Sequence, residues 1–196
     1  SVITNPTGGA GSIVFNTDAA TAATAAVGMK IINNTTGTGV TISGTSASGI
    51  SIGSLSGTGD VALGTRPLTL GALGLTESIT GNITGSGSLT KVGGGTLTLG
   101  GVNTYSGTTT ITGGKLAGAL PTGTALTVGG SGSYDLNGAD RTIGSLAGAG
   151  SVSLGAFTLT TGNITSTTFS GALSDGGFGG GVRKVGTGTL NLSGNN

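Results

Sequence analysis

Apolar residues recur at every second position along most of this chain, each pair flanking one small or polar residue. Ile50-Ser-Ile52, Val61-Ala-Leu63, Leu68-Thr-Leu70, Leu97-Thr-Leu99, Leu126-Thr-Val128, Val152-Ser-Leu154, Phe157-Thr-Leu159 and Leu190-Asn-Leu192 all read this way. A strand sends successive side chains to opposite faces, so the pattern predicts strands with one apolar and one polar face. The runs are about three to five residues long, and glycine separates nearly every pair. The first fifty residues are less regular. Ile13-Val14-Phe15, Met29-Lys30-Ile31-Ile32 and Val40-Thr41-Ile42 predict short strands there. Asp18 to Ala26, DAATAATAA, has helix propensity and a capping aspartate, and reads as one helical turn or as a loop of small residues. No amphipathic helical period follows residue 30, which makes the chain all-β.

Internal repetition narrows the architecture. Residues 88–103 align with 181–196 at nine of sixteen positions, and residues 52–64 align with 143–155 at nine of thirteen. TGNIT at Thr80–Thr84 returns at Thr161–Thr165. Three blocks in the same order, with length changes between them, are what stacked repeats tolerate. The expectation is a single domain over 1–196, a fragment of a longer repeat protein, made of two imperfect units at roughly 10–101 and 102–194. Coils of about 20 residues stacked at about 4.8 Å predict a parallel β-helix of about nine coils, some 45 Å long. An antiparallel β-sandwich is the alternative, since strands about ten residues apart also suit it.

Composition adds mostly exclusions. Glycine, at 45 residues, has no collagen period and only three prolines beside it, and therefore signals turns. Seven Lys and Arg against six Asp and Glu leave a formal charge of +1. So few charges give no basic face for nucleic acid and no polybasic membrane patch. The absence of Cys and His removes disulfides, thiolate metal sites and Ser-His-Asp or Cys-His catalysis. No apolar run approaches the roughly 18 residues that span a bilayer.

The chemistry left over is sparse. A polysaccharide-acting enzyme would draw its carboxylates from Asp18, Asp60, Glu77, Asp135, Asp140 and Asp175, most of them beside turn glycines, where a solvated Asp is ordinary. GGSGSYD at Gly129–Asp135 comes near a calcium-binding repeat but sets its Asp one residue late and occurs once. No metal or cofactor site is expected. Asn34, Asn82, Asn163 and Asn191 sit in N-x-Thr/Ser sequons, which chance supplies in so Thr-rich a chain. Lys91 and Lys184 hold the same place in the repeat and read as solvated lysines beside a turn. Thr96 with Thr98, and Thr158 with Thr160, are candidate outward ladders for ice or glycan. Ser166 to Arg183 adds Phe169, Asp175, Phe178 and Arg183 where the first copy needs only a tight turn. Long loops on rigid scaffolds carry binding, so these four are the candidate binding residues.

Lys91 to Leu116 resembles the strand repeat of bacterial autotransporter passenger domains. The positions that carry the resemblance are Lys91, Gly93, Gly95-Thr96-Leu97, Leu99, Gly101, Asn103, Tyr105, Gly107, Thr109, Ile111, Gly113-Gly114 and Leu116. Asp135-Leu136-Asn137-Gly138 and Ile143-Gly144-Ser145-Leu146 resemble its continuation, and Lys184 to Asn195 begins the motif again. The resemblance implies a right-handed parallel β-helix displayed on, or released from, a Gram-negative-type surface, with no catalysis in the stalk and Tyr105 as a packing residue. A leader and a membrane barrel, which the family carries, are expected to lie outside this segment. The expected function is a structural or adhesive stalk module, able to assemble end to end with itself or to meet host or matrix ligands. The alternatives are a polysaccharide-acting β-helix enzyme and a Thr-ladder module.

Overall fold

A three-residue strand with one apolar face cannot bury that face alone; it needs another rung above and below. The computed structural model, which describes residues 1–5, 8, 12–16, 26–44 and 49–194, shows such rungs throughout. Its first face is a ten-stranded sheet that stacks β1 (Val2–Asn5), β3 (Ala26–Asn33), β5 (Ile50–Ser56), β7 (Leu68–Leu70), β10 (Leu89–Lys91), β12 (Thr109–Ile111), β14 (Ala125–Val128), β17 (Ser145–Gly148), β20 (Thr167–Phe169) and β23 (Leu190–Leu192), in that order. The second face stacks β8 (Glu77–Ile79), β11 (Thr96–Leu99), β13 (Gly114–Gly118), β15 (Gly132–Asp135), β18 (Ser151–Ser153) and β21 (Ala172–Ser174). The third comes in two pieces: β2 (Ile13–Asn16), β4 (Thr38–Ser43), β6 (Asp60–Ala62) and β9 (Ile83–Thr84), then β16 (Arg141–Ile143), β19 (Thr158–Thr161) and β22 (Gly181–Lys184).

Every pairing among these strands is parallel. From β7 onward the chain visits the first, second and third sides in turn and returns one rung higher, which makes it a parallel β-solenoid and removes the antiparallel sandwich. Ten stacked strands leave nine gaps, so the first face runs about 43 Å at the usual strand spacing. The helical turn expected from Asp18 lies outside the described residues, apart from Ala26, which opens β3.

The register turns the sequence alternation into columns. Ile50, Leu68, Leu89, Thr109, Leu126 and Leu146 follow one another up the inside of the first face. Beside them run Ile52, Leu70, Lys91, Ile111 and Val128. Each Leu or Ile buried in these columns contributes roughly 1.5–3 kcal/mol, and one core runs continuously from Ile31 to Phe169. Between the two inward columns Thr69, Thr90, Thr110 and Thr127 stack outward on consecutive rungs. The ladder thus stands on the first face rather than at the expected positions: Thr98 lies between Ser78 and Ala117, Thr96 meets Lys115, and Thr160 lies between Thr142 and Arg183.

The sequence repeat and the coil are out of step. Lys91 ends β10 on the first face, and its motif turns onto the second face at β11. Lys184 ends β22 on the third face, and its motif turns onto the first at β23. Ile52 and its repeat partner Ile143 are displaced in the same way, from first face to third. What recurs is therefore a corner, made of strand, glycine turn and strand, and it serves at more than one edge of the rod.

Candidate functional site

The repeated corner contains a charged side chain where leucine would be ordinary. Lys91 follows Leu89 by two residues, which points it inward, and it is 1% exposed between Leu70 and Ile111. Its Nζ donates to the carbonyls of Val92 at 2.6 Å, Gly93 at 3.0 Å and Gly113 at 3.3 Å. Three donors meet three acceptors, two in its own turn and one on the next rung. Desolvation by burial holds its pKa below the ordinary lysine value. The expected solvated lysine is thus an internal clamp, because inward parity leaves its ammonium no route to water except through the turn. Lys184 makes the matching bonds to the carbonyls of Val185 and Gly186 but stays exposed.

A second polar device lies one rung up. Thr109 occupies a leucine column, and its Oγ1 lies 2.7 Å from the Tyr105 hydroxyl and 2.9 Å from Thr124 Oγ1, which donates to the Gly107 carbonyl. Tyr134, also buried, donates to the Gly118 carbonyl. Burial pushes both phenols far above the ordinary value; the Thr109 bond opposes this slightly for Tyr105, as the Arg141 charge does for Tyr134. In the unfolded chain both ionise near pH 10, while the folded chain keeps them neutral. Their contribution is therefore fully present below about pH 10 and is lost as pH rises, at about 1.4 kcal/mol per tyrosine per pH unit. An alkaline titration that follows phenolate absorbance beside far-UV circular dichroism should show phenolate forming only as strand signal disappears. Phenolate in a fully folded chain would overturn this reading.

Asparagine and aspartate bind the third side together along its length. Asp60 Oδ1 accepts from the Asn82 N–H, Asn82 Oδ1 from the Val102 N–H, and Asn103 Oδ1 from the Ile83 N–H. Asn103 Nδ2 reaches on to the Ala119 carbonyl at 2.9 Å. These bonds hold the rung at 102–106 in place where no strand forms.

The carboxylates serve the scaffold too. Glu77 stands at an inward position and receives the Ser54 hydroxyl, with Lys30 Nζ 3.6 Å away. Asp135 pairs with Lys115 at 3.1 Å and caps the Asn137 N–H, so the near-calcium motif around it is a strand and its turn. Asp140 accepts from the Thr158 N–H. Asp18 lies outside the described residues.

Ser166 to Arg183 is a rung rather than a loop excursion, since it contains β20, β21 and the first part of β22. The structure separates the four candidate residues. Phe169 is 0% exposed in the core, because the strand that carries it stacks on β17. Arg183 lies beside Thr160 on the outside of the third face. Asp175 and Phe178 share the turn between β21 and β22, where Asp175 accepts from the N–H groups of Gly177 and Gly179, each at 2.9 Å. Those bonds hold its carboxyl below the usual range and leave Phe178 73% exposed at the tip. Burial of Phe169 was legible in principle, since it follows Thr167 and Thr168 in a strand pattern.

Comparison with known families bears on the same corner. The family model described as the passenger-associated-transport-repeat matches residues 89–117 and 182–196. No curated protein and no solved structure matches the chain. Both matched segments hold the lysine clamp and its glycine turn. The chain is a parallel β-solenoid in which two segments match the passenger-associated-transport-repeat, the second over about half the length of the first, an architecture that fits an autotransporter passenger module.

Proposed function

We propose that this chain is a rigid, non-catalytic spacer in a passenger displayed on or released from a Gram-negative-type cell surface. The observation that carries the reading is the uninterrupted first face, ten parallel strands over one continuous core. A rod of this kind sets a distance, because each rung contacts only its neighbours and length grows with rung number. The engagement of Asp60, Glu77, Asp135, Asp140 and Asp175 in structural bonds supports a non-catalytic role. An adhesive role fits the same display and needs a ligand site on the flank of the rod.

The test is to place the chain between a secretory leader and a membrane β-barrel in a Gram-negative host. Intact cells treated with protease should lose the chain from their surface, and purified chain should scatter as a rod about 43 Å long. Retention of the chain inside the outer membrane, with the barrel correctly inserted, would remove the proposal.

A further inference from the structure

The third side of the rod has an indentation that follows from coil length. Leu89 pairs with Thr109, 20 positions on; Thr109 with Leu126, 17 on; and Leu126 with Leu146, again 20 on. Leu97 on the second face pairs with Leu116, so of the three missing residues one is lost between the first and second faces and two come out of the third side. No strand forms there between β9 and β16. The result is a recess of about 370 Å³ between the rung at Asn103–Ser106 and the rung at Pro121–Thr124. That volume falls at the small end of ligand clefts.

Hydroxyls supply the free polar groups of the recess, beside Asn103, Pro121 and Gly123. Thr104 and Ser106 are exposed on the lower rung and Thr122 on the upper, and none of their hydroxyls has a partner in the chain among the described residues. The hydroxyls behind them are all spent: Tyr105, Thr109 and Thr124 bond to one another and to Gly107. The N–H groups of Thr104 and Ser106 donate downward to Ile83 and Gly85, which holds both side chains outward. The free hydroxyls border a recess whose volume admits one sugar ring.

We propose that this recess binds a single neutral hexopyranose unit of a glycan. A sugar hydroxyl both donates and accepts, as do Thr104, Ser106 and Thr122. No charged side chain lines the recess, which disfavours phosphate, sulfate or carboxylate ligands, and no aromatic ring is exposed in it to favour a flat apolar one. Three neutral hydroxyls in a shallow recess give weak binding, on the order of millimolar, which becomes useful when many rods engage one surface. The site supplies the ligand that an adhesive role requires, but binding is read on the isolated chain, so it stands or falls separately from surface display.

The experiment is a ¹H–¹⁵N NMR titration of the 196-residue chain with maltotriose, cellotriose and lactose, and with sialyllactose as the acidic comparison, each at about 50 mM, well above a millimolar constant. At least one neutral sugar should shift amides at 102–107 and 120–124 and leave the first face unmoved, with sialyllactose weaker. A side chain added at Gly123 meets nothing within 4 Å and Gly123 lines the recess, so Gly123→Phe should fold normally while placing a bulky ring at the site. It should weaken binding at least about tenfold, as should Thr122→Ala together with Thr104→Ala. Silence with all three neutral sugars, shifts scattered over other faces, or binding untouched by both variants would overturn the proposal.

Discussion

Gly148→Ala is expected to lower the unfolding free energy by about 4 kcal/mol, close to the whole stability of many small domains. Gly148 has φ of +111° and closes the first-face strand β17 between Val128 below and Phe169 above. A methyl group there would sit 2.1 Å from the Val128 carbonyl oxygen, with the Val128 carbon and nitrogen also under 3 Å. All three obstacles are backbone, so no side chain can swing aside, and relief requires the rungs themselves to part. The strained φ and the forced rung separation each cost roughly 1–3 kcal/mol. Gly177→Ala is the matched comparison. Its φ is +84°, but its added methyl meets nothing within 4 Å, so it should cost only about 1 kcal/mol. Urea unfolding followed by far-UV circular dichroism reads both. Equal losses in the two variants would show that rung contact at Gly148 contributes nothing beyond its backbone angle.

The second large effect belongs to the lysine clamp. Lys91→Met keeps a straight chain of similar volume between Leu70 and Ile111, so little cavity forms and the loss reports the clamp itself. Three half-buried carbonyls lose their donor, at roughly 1 kcal/mol each, the low end of the cost of an unmet buried group. Against this, removing the ammonium relieves the desolvation that already depresses its pKa. The bonds outnumber the one relieved charge, and a net destabilisation of up to about 3 kcal/mol is expected. Lys184→Met should stay within about 0.5 kcal/mol of the wild type, since that lysine is exposed and its acceptors can turn to water. Equal effects at the two positions would mean that the repeat motif, rather than burial on the rod, sets the contribution of the lysine.

Membership of the repeat therefore does not fix a residue's physical role. Lys91 and Lys184 occupy identical motif positions, yet one stands inside the first face and the other ends the third. Because the corner recurs at different edges of the rod, each copy meets different neighbours. The same reasoning explains why Ser166 to Arg183 looked like an insertion. Aligned against the first copy it is surplus, but on the rod it supplies strands to all three faces and buries Phe169.

Much of the internal polar chemistry was within reach of the sequence through parity. Lys91 lies two residues after Leu89, Glu77 two before Ile79, Thr109 two before Ile111 and Arg141 two before Ile143, and all four take inward positions in their strands. A polar residue in step with an apolar column signals a buried hydrogen-bonding device, since burial without partners is costly. What parity cannot supply is the partner. Lys91 finds two acceptors in its own turn, but its third, Gly113, and the Ser54 donor to Glu77 lie more than twenty positions away.

By itself, then, the sequence determined the short strands and the identity of the repeated corner, and its ordered repetition favoured a parallel stack over a sandwich. The strands and the corner rest on a period of two and on glycine turns, which act between near neighbours in the chain. Tertiary structure alone decided which face each copy occupies, where the threonine ladder runs, and where the third side draws in at Pro121. These depend on how many residues each coil spends before returning to the first face; the coil from Thr109 to Leu126 is three residues shorter than the one before it and gives up two of them on the third side, where the recess lies. Coil length is a sum over loops, visible only when each rung is set on the one beneath it.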